Sequence, residues 1–155
     1  MNVNVTVTQS PDINIALGAI GPKGRGADRA ACVMVSPSDP AFGELDTGDS
    51  KAVIRAGEDL DGMVLSGVGA GVTAPSTLGA ITIQVRRVRA GLGVDMLTTP
   101  ITIEANEYDS ITAAVQPVIN AANSDISEGD MLHFDIDAAG TGVLGLVASL
   151  YFQPA

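Results

Sequence analysis

The chain has one histidine, His133, set in Leu132-His133-Phe134-Asp135-Ile136-Asp137. On an extended strand this spacing puts the imidazole and the carboxylates of Asp135 and Asp137 on one face, the minimum for a weak metal site or an acid/base cluster. A solvated strand face reads the same way, and that is the expectation here. Three acidic runs, Asp46-Thr47-Gly48-Asp49, Glu58-Asp59-Leu60-Asp61-Gly62 and Ser124-Asp125-Ile126-Ser127-Glu128-Gly129-Asp130, hold carboxylate oxygens of the kind calcium uses. None has the spacing of an EF-hand loop, and Asp-Gly and Glu-Gly pairs are ordinary turn residues. Gly67-Val68-Gly69-Ala70-Gly71 lacks the Lys-Ser/Thr of a phosphate cradle, and the sequence contains no Gly-x-Ser-x-Gly. Cys32 is the sole cysteine, which rules out an internal disulfide. In Ala31-Cys32-Val33-Met34-Val35 it reads as a buried structural thiol rather than a reactive one. The chain is therefore expected to be no enzyme, with no catalytic residue, no metal and no cofactor.

These residues need strands to position them, and the hydrophobic pattern supplies strands almost throughout. Val3, Val5 and Val7 alternate with Asn4, Thr6 and Thr8; after Gln9-Ser10-Pro11-Asp12, Ile13, Ile15 and Leu17 alternate with Asn14 and Ala16. The period of two predicts a pair of strands forming an arm or hairpin over residues 1–19, and a lone hairpin needs a surface to lie on. Residues 20–28 read as a Gly/Pro linker. Glycine recurs at every third position from Gly18 to Gly24, with Pro22 after Gly21. This collagen-like run is too short to hold a triple helix by itself and reads first as a flexible connection.

Over residues 29–155 short apolar runs alternate with Gly, Pro, Asp and Ser clusters, the rhythm of an antiparallel β-sandwich. Strands are expected near residues 30–36, 51–55, 62–68, 80–89, 94–97, 100–104, 110–116, 130–138 and 143–153. In the fourth, Ile81, Ile83 and Val85 share a face and Val88 breaks the parity, which predicts a bulge at residues 86–87. In the last, Leu144, Leu146, Ala148, Leu150 and Phe152 fill one face, and Val143, Val147 and Tyr151 occupy the other. Both faces are apolar, so the second is expected to meet a neighbouring subunit.

Composition narrows the partners. Hydrophobic residues make up 46% and charged ones 17% of 155 residues, which suits one ordinary domain with a short appendage. With three Phe, two Tyr and no Trp, stacking platforms for bases or sugars are few. A net charge of −10 repels a phosphate backbone, so no nucleic acid is expected as a partner. No run approaches the roughly 18 apolar residues of a membrane span, and the first residues lack a signal-peptide pattern; the reading is a soluble product of a cytoplasm, with no membrane partner. Residues 1–29 carry Lys23, Arg25 and Arg29 against Asp12 and Asp28, leaving −11 on residues 30–155. Unless chance in so short a segment accounts for it, the asymmetry has the first piece touching an acidic or neutral surface.

Several segments resemble a known family. Ile81-Thr82-Ile83-Gln84-Val85-Arg86-Arg87 followed by Asp95-Met96-Leu97-Thr98-Thr99-Pro100-Ile101-Thr102-Ile103 is one. Val118-Ile119-Asn120-Ala121, running on to Ile126-Ser127-Glu128-Gly129-Asp130-Met131-Leu132-His133-Phe134-Asp135-Ile136, is a second, and Gly140-Thr141-Gly142-Val143-Leu144-Gly145-Leu146 through Phe152 a third. Together they resemble the jelly-roll module of tailed-bacteriophage head decoration (cement) proteins, which phage fibre proteins share. The opening, Val3 to Leu17 and then Gly21-Pro22-Lys23-Gly24, is similar to the start of phage virion proteins in which an alternating segment leads into Gly-Pro-x-Gly repeats. Residues 37–78 match weakly.

The resemblance implies an all-β chain: an N-terminal β-strand arm or hairpin, then a jelly-roll-like antiparallel β-sandwich. It implies a homotrimer at threefold positions on the outer capsid surface of the virion, made in the host cytoplasm, with the major capsid protein as partner. On that reading Val3, Val5, Val7, Ile13, Ile15 and Leu17 attach to the capsid and Lys23, Arg25 and Arg29 add charge. Val143, Val147 and Tyr151 are the expected trimer interface. The shortness of the collagen-like run favours a compact cement protein over an extended fibre. Two other readings are a tail-fibre or receptor-binding protein that adheres to host glycan, and a bacterial β-sandwich binding module that uses calcium.

Overall fold

The computed structural model describes residues 28–36 and 38–155. Ten strands run through them: β1 (Arg29–Met34), β2 (Gly48–Arg55), β3 (Met63–Gly71), β4 (Ile81–Arg89), β5 (Leu92–Asp95), β6 (Leu97–Thr99), β7 (Ile101–Ile103), β8 (Val118–Ile119), β9 (Met131–Ala138) and β10 (Val147–Pro154). All pair antiparallel. One sheet has the order β1-β10-β3, a second β2-β9-β4-β5 with β7 also on β4, and β6-β8 make a short third. The expected arm over residues 1–19, with Val3, Val5, Val7, Ile13, Ile15 and Leu17, lies outside the described residues, as do Lys23 and Arg25.

The period of two builds the core. Ile81, Ile83 and Val85 of β4, Leu132, Phe134 and Ile136 of β9, Ala148, Leu150 and Phe152 of β10, and Leu65 and Ala70 of β3 belong to one buried cluster between the two larger sheets. With so few aromatic rings in the sequence, Phe134 and Phe152 are its largest side chains, and branched aliphatics fill the rest at the close packing that interiors require.

Four expectations need correction. The bulge at residues 86–87 is absent: Val85 and Arg87 both point inward and pair in register with Phe134 and Leu132, and the irregularity falls instead between Thr82 and Ile83. The parity is kept because an arginine occupies the inward position. Residues 110–116 form no strand; Asp109 accepts the Ile111 amide and caps a single 3₁₀ turn at Ser110–Thr112, which takes that segment out of an extended path. The last strand starts at Val147, not 143. Gly145 has φ +64, a left-handed conformation that breaks the extended run. Residues on the two sides of it therefore do not share one alternation, and Val143 faces the core at 1% exposure. The fourth correction concerns Cys32, which is exposed.

Candidate functional site

β1 and β10 are apolar in both phases of their alternation, so burying one phase leaves an apolar face outside. Ala31 and Val33 pack on the core, which turns Ala30, Cys32 and Met34 outward. Across the sheet they form three rows: Ala30–Tyr151–Gly67, Cys32–Ser149–Gly69 and Met34–Val147–Gly71. No residue of the nine is charged, in a chain of net charge −10. Cys32 Sγ lies 3.2 Å from Ser149 Oγ. The glycines leave room for the neighbouring rings: a Cβ on Gly67 would meet the Tyr151 ring at 3.4 Å.

The far side of β3 is walled. Val72 N donates to Tyr108 O at 2.9 Å, and Ala70 N donates to the buried Ser110 Oγ at 3.0 Å. Gln116 Nε2 donates to the carbonyls of Ser110, Ile111 and Ala113. These bonds pin residues 108–116 against the strand and leave Tyr108 and Ile111 exposed. Between this wall and the sheet runs a groove of ≈ 490 Å³ floored by Gly69, Gly71, Val147 and Ser149.

The outer face of the larger sheet has the opposite character. His133 and Asp135 of β9 do share a face, beside Arg86 of β4. β2 is irregular between Gly48 and Ala52, and Ser50 there adopts φ 55. Its amide donates to Asp135 Oδ1 at 2.6 Å and its hydroxyl lies 2.7 Å from His133 Nδ1. Arg86 closes on the same carboxylate through Nε at 2.7 Å and Nη2 at 3.2 Å. Burial pushes the Asp135 carboxyl up, but Arg86 and the Ser50 amide outweigh it and hold the group below the usual aspartate range. Asp137 goes the other way: burial, then the charges of Asp135, Asp95 and Asp49, raise it. A serine beside a histidine is the start of a nucleophilic relay, but the third member, the carboxylate that would orient the imidazole, is here held by Arg86 and the Ser50 amide. The arrangement staples the irregular stretch of β2 to the sheet and presents a wetted, acidic face.

At the end of that sheet the acidic run from Ser124 to Asp130 meets two arginines of β4. Arg87 Nη1 donates to the carbonyl and side chain of Asp125. Arg89 donates to Asp125 Oδ2 at 2.8 Å and grips Asp130 through Nε and Nη2, both at 2.7 Å. Ser127 N adds a bond to Asp130 Oδ2 at 2.8 Å. Two carboxylates of the kind calcium uses are thus committed to cations of the chain itself. In the other runs, Asp46 pairs with Lys51 at 2.6 Å and Asp61 accepts the Glu128 amide at 2.9 Å. Among the described residues no group of three or more His, Cys, Asp or Glu side chains is placed to hold a metal ion, and no helix is long and apolar enough to cross a membrane.

Of the expected interface residues, Val147 and Tyr151 stand together on the uncharged face, whereas Val143 is in the core. Arg29 is the half-buried first residue of β1, opposite Phe152. Met34, Cys32, the three glycines of β3, Tyr108 and Ile111 were not foreseen as parts of this surface. The signal available for β1 was its apolarity in both phases, the same signal that marked β10. Compared with known proteins, the chain matches no family model, no curated protein and no solved structure.

Proposed function

We propose that this chain decorates the head of a tailed bacteriophage: residues 1–19 bind the major capsid protein, the rest projects from the outer capsid surface, and the protein acts as a homotrimer that stabilises the shell. The strand order carries the reading. β1-β10-β3 facing β2-β9-β4-β5 supports a jelly roll, in which β1 to β4 alternate between the two sheets and β9 and β10 do so again, a fold recurrent in viral capsid proteins. The place of an eighth strand, beside β3, is taken by an irregular segment that meets it through isolated bridges at Gly71–Asp109 and Val64–Asp125 and through single bonds such as Ala70 N to Ser110 Oγ.

The distribution of charge supports the same reading. An acidic outer sheet face keeps particles apart in solution, while an alternating apolar arm binds by adding strands to a partner and filling it with every second side chain. Three arms on one trimer multiply weak contacts by a factor on the order of 10². The test is co-sedimentation with heads stripped of decoration. The full chain is expected to pellet with them, and deletion of residues 1–20 to abolish that while leaving the fold intact. Equal binding by the truncated chain would overturn the arm's role.

A second reading, a fibre or receptor-binding protein for host glycan, draws support from the groove, where Tyr108 and Tyr151 stand beside Asp109, Ser110 and Gln116. Sugars favour an aromatic ring flanked by polar groups. Binding of the full chain to host cells but not to stripped heads would select this reading.

A further inference from the structure

Among the described residues nothing covers the uncharged face of the β1-β10-β3 sheet, and its shape and charge restrict what can cover it. Around it Met34 is 61% exposed, Tyr151 50%, Tyr108 59% and Ile111 79%, so large apolar side chains project. Between them the glycines of β3 and Ser149 leave the groove. One face thus carries both projections and a recess, so in a closed ring the projections of each copy enter the recess of the next, the head-to-tail contact that a threefold homo-oligomer needs. Charge points the same way. Each copy carries −10, and the acidic face of the other sheet repels its own kind. On the nine-residue face two copies approach without setting like charges against each other. β1 is also the open edge of its sheet among the described residues. The strand holds no proline and, after Arg29, no charge, so it lacks these two devices against edge association.

We infer that this face, with Met34, Cys32, Val147, Ser149 and Tyr151 at its centre and Tyr108 and Ile111 at its rim, is where copies of this chain meet. The inference deepens the decoration reading by naming the surface through which its trimer forms. Three strands about 4.8 Å apart and six residues at roughly 3.3 Å each make a plane of about 15 by 20 Å. Even with the rim this is at the small end of specific interfaces. Association is therefore reversible and concentration-dependent in free solution, and the capsid lattice, which holds neighbours together, completes it.

The test uses the full chain. Light scattering across roughly 1–300 μM should show the mass rising from 15.7 kDa toward about three times that value. The alkylation rate of Cys32 should fall about tenfold over the same range. Met34→Glu and Tyr151→Glu place a charge at exposed positions, so the fold should survive, which an unchanged melting temperature at low concentration would show; both should stay monomeric with Cys32 fully reactive. Leu92→Glu, on an exposed residue of β5, should associate like the parent. Three results would overturn the inference: an oligomer that persists in both face variants; a parent chain that stays monomeric with Cys32 reactive throughout; or a monomer in which Cys32 is protected at every concentration, which would assign the face to residues 1–27 of the same chain. A parent chain that self-associates through the face but leaves stripped heads bare would count against the decoration reading alone.

Discussion

Asp130 is the carboxylate on which the end of the larger sheet depends most, and Asp130→Asn measures that dependence. The side chain is 1% exposed and accepts three bonds: two from Arg89, both at 2.7 Å, and one from Ser127 N at 2.8 Å. Asparagine has almost the same shape but a single acceptor oxygen. At least one arginine bond is lost, the remainder lose their charge assistance, and the new NH₂ faces a donor. A hydrogen bond to a charged group contributes about 1.5–3 kcal/mol, and breaking a fully buried pair costs about 3–5 kcal/mol. Arg89 is 39% exposed and also holds Asp125, so it can turn to water or to that partner, which brings the expected loss to about 2–3 kcal/mol. With unfolding entropy of about 2.1 cal/mol/K per residue over a domain of roughly 130 residues, that lowers the melting temperature by roughly 7–11 °C. Differential scanning calorimetry at pH 7 reads it. Glu128→Gln, the same charge change on an exposed residue of the same loop, should move it by less than about 2 °C. A loss under 2 °C in Asp130→Asn, or an equal loss in the control, would refute the reasoning.

The same variant has a signature in acid. Burial raises the Asp130 carboxyl, but the Arg89 bonds, the Ser127 amide and the charges of both arginines outweigh it and leave the group below the usual range. A carboxyl depressed by folding stabilises the native state above its unfolded value of about 3.9 and loses that contribution as pH falls through the folded value. The parent should therefore lose stability below about pH 4, and Asp130→Asn should lose less over that interval.

Other predictions follow from the same physics. Asp137 is exposed, and partial desolvation together with the charges of Asp135, Asp95 and Asp49 raises its carboxyl, so its ionised form opposes folding at neutral pH. Asp137→Asn should raise the melting temperature by about 1 °C at pH 7, the modest size reflecting its exposure, and high salt should shrink the gain; a loss would contradict the assignment. Arg87 is inward, with a buried Nε that has no hydrogen-bond partner, while Asp125 keeps Arg89 and much of its exposure. Arg87→Met should cost less than about 1.5 kcal/mol, distinctly below the Asp130 variant; a larger loss in denaturant titration would mean that Arg87 anchors the loop. Gly145→Ala puts a Cβ on a residue at φ +64 and into Thr73 Oγ1, and should cost at least about 1–2 kcal/mol. A neutral result would show that the residue relaxes out of the left-handed region.

What the sequence disclosed and what it withheld divide by range. β4 and β9 are legible because Ile81, Ile83, Val85, Leu132, Phe134 and Ile136 repeat at a period of two. β10 is legible for the same reason, and with it the outward Val147 and Tyr151. Met34 and Cys32 were hidden because Ala30 to Met34 are apolar in both phases, so alternation alone cannot choose the inward set; the pairing with β10 chooses it. Val143 was misplaced by extending one alternation back through Gly145, whose positive φ only the folded chain reveals. An inward Arg87 looked like a phase error, because its partner Asp125 is far along the chain and no local pattern announces the contact. Ser50, His133, Asp135 and Arg86 are brought together from three strands in the same way. Local periodicity carries element type, while these sites are made by contacts between distant segments.

The proposed decoration role is tested most directly by the copy number and position of this chain in purified particles of the phage proposed to encode it, by cryo-electron microscopy. The account predicts density of the β-sheet domain in groups of three on the outer head surface, its acidic sheet outward, the β1-β10-β3 faces turned toward one another, and arms running onto neighbouring capsid subunits. Density at the tail instead, single copies with that face open to solvent, or a head that lacks the chain altogether would contradict it.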